Sequence, residues 1–495
     1  MNLSRIIERH AQFSPARVAL HFDGENIRFA QLWARVRRAT AVLQGLGVAP
    51  GDRIAWLGLN DPAMLVLLFA LARIGAILAP LNYRLAAAEH ADILAHAGAR
   101  LLVFDPQHAQ PAQALADAGG LQAVQAGSLG DGALDVVPLA PPAPFAGADT
   151  SPVLLVYTSG TSGKPKGALH TQAGLIWNCI NATHAQDLTA ADHVLTALPL
   201  FHVGGLCIQT LPALHAGACV TLHSRFNPGQ WLADVQARRP DLTVMVPATL
   251  RAVREHPGFA AADLSSLRLI VAGSSVVPAS LIAQYHQRGI AIGQVYGATE
   301  TGPVSIYLRR DDAMVVPGST GRAGLHVDVR LVDDLGSDVA QGAVGEIWIH
   351  APNLMQGYWQ DPHNPSFVDG WFHSGDLARQ DADGFYWVVG RSRDMIISGG
   401  ENIYPAEIEN LLVASDEIAE AAVIGRPDPR WGEVAVAVVV RKPCSTLDAA
   451  GVMSLLDGKI ARYKLPRQVM FRDDLPKTAL GKVQKKALVH WTQTD

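Results

Sequence analysis

The chain has 495 residues, 49% of them hydrophobic, which is more than one core usually serves, so two or more domains are expected. Its net charge of -5, with Lys and Arg spread along the chain, argues against a nucleic-acid partner and means that anionic ligands need local positive sites. The four cysteines, Cys179, Cys207, Cys219 and Cys444, have no paired metal-ligand spacing, which argues against a disulfide scaffold and fits free buried thiols in a reducing compartment.

The N-terminal "MNLSRIIERHAQFSPARVAL" carries charges inside its apolar pattern and lacks the h-region of a secretory signal. A helix is predicted over "FAQLWARVRRATAVLQGLGV" and a strand over "DRIAWLGL". The apolar run Ala63 to Leu81 is broken by Arg73 and Gly75 and meets Pro80, short of the about 20 clean residues that span a bilayer. It reads as a buried helix followed by a strand, so no transmembrane segment and a cytoplasmic location are expected.

The runs "ARLLVFD", "PVLLVYT", "ACVTLHS", "LTVMVPA" and "LRLIVAGSS" alternate with helical stretches and predict α/β units with buried, mainly parallel strands. Leu121 to Pro152, rich in Ala, Gly, Pro and Asp, is predicted to be a surface connection. From about Gly324 the runs "HVDVRLVDD", "GEIWIHA" and "GFYWVVG" suggest antiparallel strands or a small barrel. After Asp394 the texture changes again, to the helix "PAEIENLLVAS", the strands "IAEAAVIG" and "EVAVAVVVR", and a basic end. The expected fold is α/β: a large N-terminal domain, 1–393, of layered α/β sheets plus a small β-barrel, and a smaller mobile α+β domain, 394–495.

Four segments carry chemistry. In "YTSGTSGKPKG", Thr158, Ser159, Thr161 and Ser162 offer hydroxyls, Gly160, Gly163 and Gly167 permit close backbone approach, and Lys164 and Lys166 bring charge. The Walker spacing fails, since Pro165 follows Lys164, so this is a phosphate loop of another kind or a flexible turn. In "GQVYGATETG", Tyr296 can stack on a base, Thr299 can bond a phosphate oxygen and Glu300 can ligate Mg2+; the same residues also read as a helix start capped by Thr299.

Third, in Trp371 to Glu409, Asp376 can accept both hydroxyls of a ribose and Arg391 can donate from the opposite side. Beyond them, Asp394 and the pair Gly399 and Gly400 suit a hinge or an ordinary interdomain loop. Last, "LPKTALGKVQKK" places Lys477, Lys482, Lys485 and Lys486 near the end, where a solvated tail is the plainer reading.

Taken together with "LPLFHVGG", "GEIWIHAPNLMQGYW" and "RYKLP", these segments in this order resemble the AMP-forming adenylating superfamily of acyl-CoA synthetases, peptide-synthetase adenylation domains and luciferases. The resemblance covers essentially the whole chain. It implies an ATP-dependent acid–thiol ligase with Mg2+ as cofactor and ATP and coenzyme A as co-substrates. The loop "YTSGTSGKPKG" is then assigned to the β- and γ-phosphates, Thr299 to the α-phosphate and Glu300 to Mg2+. Tyr296 and Gly297 fall to adenine, with Gly273, Ser274 and Ser275 on the adenine or acyl side, and Asp376 and Arg391 to the ribose.

Lys482 matches the lysine bridging the substrate carboxylate and the α-phosphate. His202 matches the gate between the ATP site and the acyl or thiol channel, although a lone His is usually a satisfied core residue. Asp394 matches the residue about which the C-terminal module rotates, bringing Gly399, Gly400 and Glu401 in to line a pantetheine tunnel. Around the acyl pocket, Gly204, Gly205 and Cys207 suggest room, and "MVPATL" and "AGSSVVPAS" hold no Arg or Lys to pair a second carboxylate. A hydrophobic monocarboxylate, fatty or aromatic, is therefore expected, with free coenzyme A as acceptor because no carrier segment follows Lys482. Loading of a separate carrier protein is the alternative, and a homodimer is left open.

Overall fold

The computed structural model describes residues 2–130, 146–158, 166–275, 277–361, 364–398, 401–478 and 481–494. A nine-stranded sheet runs Arg322–Ala323, Ile306–Leu308, Ile292–Tyr296, Leu269–Ala272, Leu242–Met245, His193–Thr196, Cys219–Leu222, Val18–Phe22 and Glu25–Arg28. The six strands from Ile292–Tyr296 through Val18–Phe22 pair in parallel. Helices cover both faces of such a sheet, so its central strands are continuous apolar runs: Leu269–Ala272 and Leu242–Met245 are buried at every position.

A second, seven-stranded sheet runs Gly357–Tyr358, Lys166–Thr171, Pro152–Thr158, Ile77–Pro80, Arg53–Leu57, Ala99–Phe104 and Gln122–Gln125. One hydrophobic core joins the two sheets, drawing Leu20 and Val194 from the first, Leu78 and Leu154 from the second, and the helices Phe29–Gly45, Pro62–Ile74 and Gln172–Gln186.

The apolar run at Ala63 is the buried helix Pro62–Ile74 followed by the strand Ile77–Pro80. Asp61 caps its start by accepting from the Ala63 amide, and Gly75, at a φ of 86°, ends it in the left-handed conformation. No helix among the described residues is long and apolar enough to cross a membrane.

Two expectations need correction. Gln122–Gln125, inside the predicted surface connection, is an edge strand paired in parallel with Ala99–Phe104: the neighbouring backbone supplies what its polar sequence does not. Residues 131–145 of that connection lie outside the described residues. The cysteines are not uniformly buried either, for Cys444 is exposed and Cys219 half-buried.

The third sheet is antiparallel, with Asp328–Val332, Val344–His350, Trp371–Gln380 and Phe367–Val368 in order and Tyr386–Arg391 added on Trp371–Gln380. Irregular register at Glu346/Trp348 and Leu377/Ala378 bends it around Ile347, Ile349, Ala378 and Tyr386. Beyond the turn Ser392–Asp394 comes a fourth sheet, built on Gly432–Arg441 and flanked by the helices Pro405–Val413 and Ala449–Leu456. Arg251 of the large body reaches it, donating to the Ala419 carbonyl at 2.7 Å.

Candidate active site

Open parallel sheets bind ligands beyond the carboxyl ends of their strands. There the His193–Thr196 strand leads to His202, Leu269–Ala272 to Gly273, Ser274 and Ser275, and Ile292–Tyr296 to Thr299 and Glu300. Ser274 and Ser275 are exposed, and Ser274 holds a φ of 74°, a strained value for a residue with a side chain. Gly297 has a mechanical reason: a Cβ there meets the Pro303 carbonyl oxygen at 1.8 Å, so the 297–303 loop folds back on itself only through glycine.

Asp376 and Arg391 are register partners on adjacent strands. Arg391 Nε donates to Asp376 Oδ1 at 2.9 Å, and the Tyr296 hydroxyl donates to Oδ2 at 2.9 Å. Burial first, and the Asp376 charge second, push the phenol pKa up, so it stays a donor. The guanidinium thus sits on the carboxylate itself rather than across a ribose from it. Each carboxylate oxygen keeps a further lone pair, so the two groups orient the acceptor without exhausting it.

Residues 299–301 form one short turn, with Ala298 in the cap position. A short helical turn does start here with Glu300 in its first turn, as the helix-start reading has it, but its cap is Ala298 and not Thr299; Thr301 Oγ1 accepts from the Ala298 amide at 2.9 Å. Asn353 and Met355 clamp the turn from the 353–358 segment, through Asn353 Nδ2 to Thr301 O at 2.6 Å and the Met355 amide to Glu300 O at 2.8 Å. Glu300 Oε1 accepts from the Tyr358 hydroxyl at 2.6 Å, and the Lys166 ammonium lies 5.0 Å from the centre of the same ring. Thr158 and Lys166 are register partners flanking residues 159–165, with Thr158 Oγ1 donating to Lys166 O at 3.4 Å. Ser159, Gly160, Thr161, Ser162, Gly163 and Lys164 lie outside the described residues.

Lys482 belongs to a turn fixed by Thr478, whose amide donates to Lys482 O at 2.7 Å and whose Oγ1 accepts from the Lys482 amide at 3.2 Å. The turn seats against the large body, with Gly481 so near Ala248 that a Cβ would stand 3.3 Å from the alanine methyl. Lys482 keeps more than a third of its surface open, yet enough protein surrounds its ammonium to hold its pKa down to about 8. Desolvation is the main cause, Arg391 adds to it and Asp376 opposes it, with Arg393 and Asp394 as smaller neighbours.

Lys482 thus shares the neighbourhood of the Arg391–Asp376 pair, while Arg393 lies 3.8 Å from Asp394. Asp394 ends the turn between the third and fourth sheets. Gly399 and Gly400 lie outside the described residues; their flanks Ser398 and Glu401 are register partners, and Glu401 is exposed.

His202 starts a short helical turn by accepting from the Gly204 amide at Nδ1, 3.0 Å away. Burial pushes its pKa down to about 4, so the imidazole is neutral, with its proton on Nε2. The following residues, Leu206–Thr210, make a π-helical turn that contains the buried Cys207. Thr210 Oγ1 ties it back, donating to Gly205 O at 2.6 Å beside Thr196 Oγ1 at 2.9 Å. Gly205 makes no room in a pocket, contrary to expectation: a Cβ there comes within 2.3 Å of Pro199 O, so its missing side chain is consumed by close backbone packing. Behind this turn lies a cavity of about 10 Å³ lined by Ile208, Val271, Gln294, Val295, Val304 and Tyr307 among others. Gln294 Nε2 is buried with no partner among the described residues.

Tyr358, Asn353 and Thr478 were not singled out in the sequence. The first two fall within "GEIWIHAPNLMQGYW" and the third within "LPKTALGK", so a motif marked the place but not the residue.

The model of the AMP-binding enzyme family matches residues 7–359, and that of the AMP-binding enzyme C-terminal domain matches 407–482. The chain belongs to the AMP-binding enzyme family. It is 48% identical to an indoleacetate–CoA ligase of Aromatoleum aromaticum, over 98% of this chain and 97% of the relative, and 45% identical to a feruloyl-CoA synthase of an Amycolatopsis species, over 96% of each. The solved o-succinylbenzoate CoA synthetase of Bacillus subtilis, in complex with its acyl-adenylate intermediate, superposes with a TM-score of 0.88 at 30% identity, covering 98% of this chain and 97% of that one. The chain is accordingly an AMP-forming acid–thiol ligase.

Proposed function

We propose that this acyl-CoA ligase activates a hydrophobic monocarboxylate, with an aryl-substituted acid such as an indolyl or phenylpropenoid acid as its best substrate. The observation that carries the reaction is the group at the carboxyl end of the Ile292–Tyr296 strand, where Tyr296 and Arg391 hold Asp376 and the Lys482 ammonium is influenced by both Arg391 and Asp376. A carboxylate is a weak electrophile, so its oxygen must first gain a leaving group. One carboxylate oxygen attacks the α-phosphorus of ATP, pyrophosphate departs, and an acyl adenylate remains. The coenzyme A sulfur then attacks the acyl carbon, AMP departs with the C–O electron pair, and the thiol proton goes to solvent.

The chain's part is positioning and charge. Lys482 draws the attacking carboxylate and the α-phosphate together and offsets charge that grows in the transition state. Asp376, held by Tyr296 and Arg391, accepts from the ribose hydroxyls, and the Tyr296 ring stacks on adenine. Glu300 fits a Mg2+ site: it is a hard oxygen donor with one oxygen oriented by Tyr358 and lone pairs to spare. Bound there, Mg2+ supplies charge neutralisation to the phosphates. Rotation about Asp394 then takes Lys482 out and brings Glu401 in, the boundary falling between 393 and 394. These chemical steps need no lipid phase, in keeping with a cytoplasmic enzyme.

The substrate reading is supported by "MVPATL" and "AGSSVVPAS", at and after the carboxyl ends of the Leu242–Met245 and Leu269–Ala272 strands, which hold no Lys or Arg to pair a second carboxylate. Relatives named for indoleacetate and ferulate, at 48% and 45% identity, support the aryl preference over a fatty acid. Pyrophosphate release and thioester mass, measured with ATP, Mg2+ and coenzyme A against indoleacetate, ferulate, palmitate and malonate, test it. Higher kcat/KM for the aryl acids is expected. A preference for palmitate or malonate refutes the substrate reading, and pyrophosphate without thioester refutes coenzyme A as acceptor.

A further inference from the structure

Parallel pairing gathers a second cluster on the nine-stranded sheet. Cys219 is the register partner of His193, and His21 is the partner of Thr221. Partners in a parallel ladder face the same side, and so do residues two apart on one strand. His193, Cys219 and His21 therefore share one face although they come from three separate strands. A ring nitrogen of each histidine and the Cys219 Sγ all lie within 4.8 Å of one another, and all three side chains are half-buried.

The hydrogen bonds around the rings prepare them as ligands. His193 Nδ1 donates to the Arg238 carbonyl at 3.1 Å, and His21 Nδ1 donates to the side-chain oxygen of Asn26. Each bond fixes the proton on Nδ1 and leaves the lone pair on Nε2, as acceptors behind metal-binding imidazoles do. At His193 that lone pair now accepts from the Thr221 hydroxyl at 2.7 Å, a bond a cation must displace. Burial holds both imidazoles below their ordinary pKa and hence neutral. Burial also pushes the Cys219 thiol up to about 11, against the pull of Arg17 and Arg238, so the metal must expel the proton.

We propose that His21, His193 and Cys219 form a zinc-binding site. Two imidazoles and a thiolate suit Zn2+, with water as the fourth ligand; binding forms the Zn–S bond and releases the thiol proton to solvent. Zn–N near 2.0 Å and Zn–S near 2.3 Å put tetrahedral ligands roughly 3.5 Å apart, so the side chains close by about 1 Å. His193 and Cys219 begin their strands, whereas His202 and Tyr296 lie at or beyond the opposite, carboxyl ends. The ion therefore lies apart from the candidate active site and ties the Val18–Phe22 strand to two strands far along the chain.

The test uses the full chain, stripped by chelator and titrated with Co2+, which reports thiolate ligation by a charge-transfer band. One Co2+ per chain with that band, displaced by Zn2+, and a higher Tm with Zn2+ are expected. Cys219→Ser abolishes the band and His21→Gln weakens Co2+ binding about a hundredfold, while Cys444→Ser changes neither. Pyrophosphate release by each variant reports that it is folded. No band in the folded wild-type protein, or a band that survives Cys219→Ser, overturns the proposal.

Discussion

Lys482 offers the sharpest test, because the same group sets both the size and the pH range of the effect. The transition state for adenylation gains charge between the attacking carboxylate and the α-phosphate. Removing a preorganised donor at such a point costs about 3 to 4 kcal/mol, or roughly two to three orders of magnitude in rate. Lys482→Ala should lose that much in pyrophosphate release while still forming thioester from preformed acyl adenylate, which needs no charge on the α-phosphate's attack path.

The pH dependence follows from the pKa of about 8. The cation is the active form, so activity is present below pH 8 and lost as pH rises through it. With about nine-tenths of the ammonium charged at pH 7 and about one-tenth at pH 9, kcat/KM for pyrophosphate release should fall about tenfold between them. Lys482→Arg stays charged throughout and should lose this alkaline limb whatever its absolute rate. The assay is pyrophosphate release without coenzyme A, so that titration of the acceptor thiol cannot enter. A wild-type profile that is flat to pH 9, an unchanged limb in Lys482→Arg, or equal loss of both half-reactions in Lys482→Ala would refute the reasoning.

Tyr358→Phe removes the donor to Glu300, a bond to a carboxylate worth about 1.5 kcal/mol or more; about tenfold lower kcat/KM and a raised Mg2+ requirement are expected from a Mg2+ titration at fixed ATP, and an unchanged Mg2+ curve counts against the role of Glu300. Gly205→Ala drives a Cβ to 2.3 Å from Pro199 O and 2.6 Å from Leu198 O, so calorimetry should show a loss of about 2 kcal/mol or more, and a wild-type Tm would mean that the Leu198–Pro199 backbone yields freely. Asp394→Pro stiffens the turn between the third and fourth sheets and should slow thioester formation from acyl adenylate at least about tenfold more than pyrophosphate release. Equal slowing of the two steps would dispose of the hinge.

Sequence reading reached the large features because their causes are local. Leu269–Ala272 is apolar at all four positions since helices cover both faces of its sheet, and "PVLLVYT" reads as a strand because Val153, Leu154, Leu155 and Val156 are buried in succession. Gln122–Gln125 escaped because its strand character comes from the backbone of Ala99–Phe104 and not from its own side chains. Gly205 was read as space when it is contact: composition shows that a side chain is missing but not what occupies its place.

The same distinction separates the two sites. At the candidate active site, each segment carries several candidate residues in a row, so "YGATETG" and "WFHSGD" announce themselves even though Tyr296 and Asp376 meet only in three dimensions. Tyr358 reaches Glu300 across 58 positions with a single hydroxyl, and nothing next to it in the chain predicts that bond. His21, His193 and Cys219 are the extreme of this kind, one ligand per strand, with no spacing to detect and no second residue beside any of them. Cysteine spacing along the chain shows no paired metal-ligand pattern, whereas strand register brings these three side chains together. A site whose ligands come singly from neighbouring parallel strands is invisible to spacing rules, because each connection between those strands has its own length while the ladder fixes which residues meet.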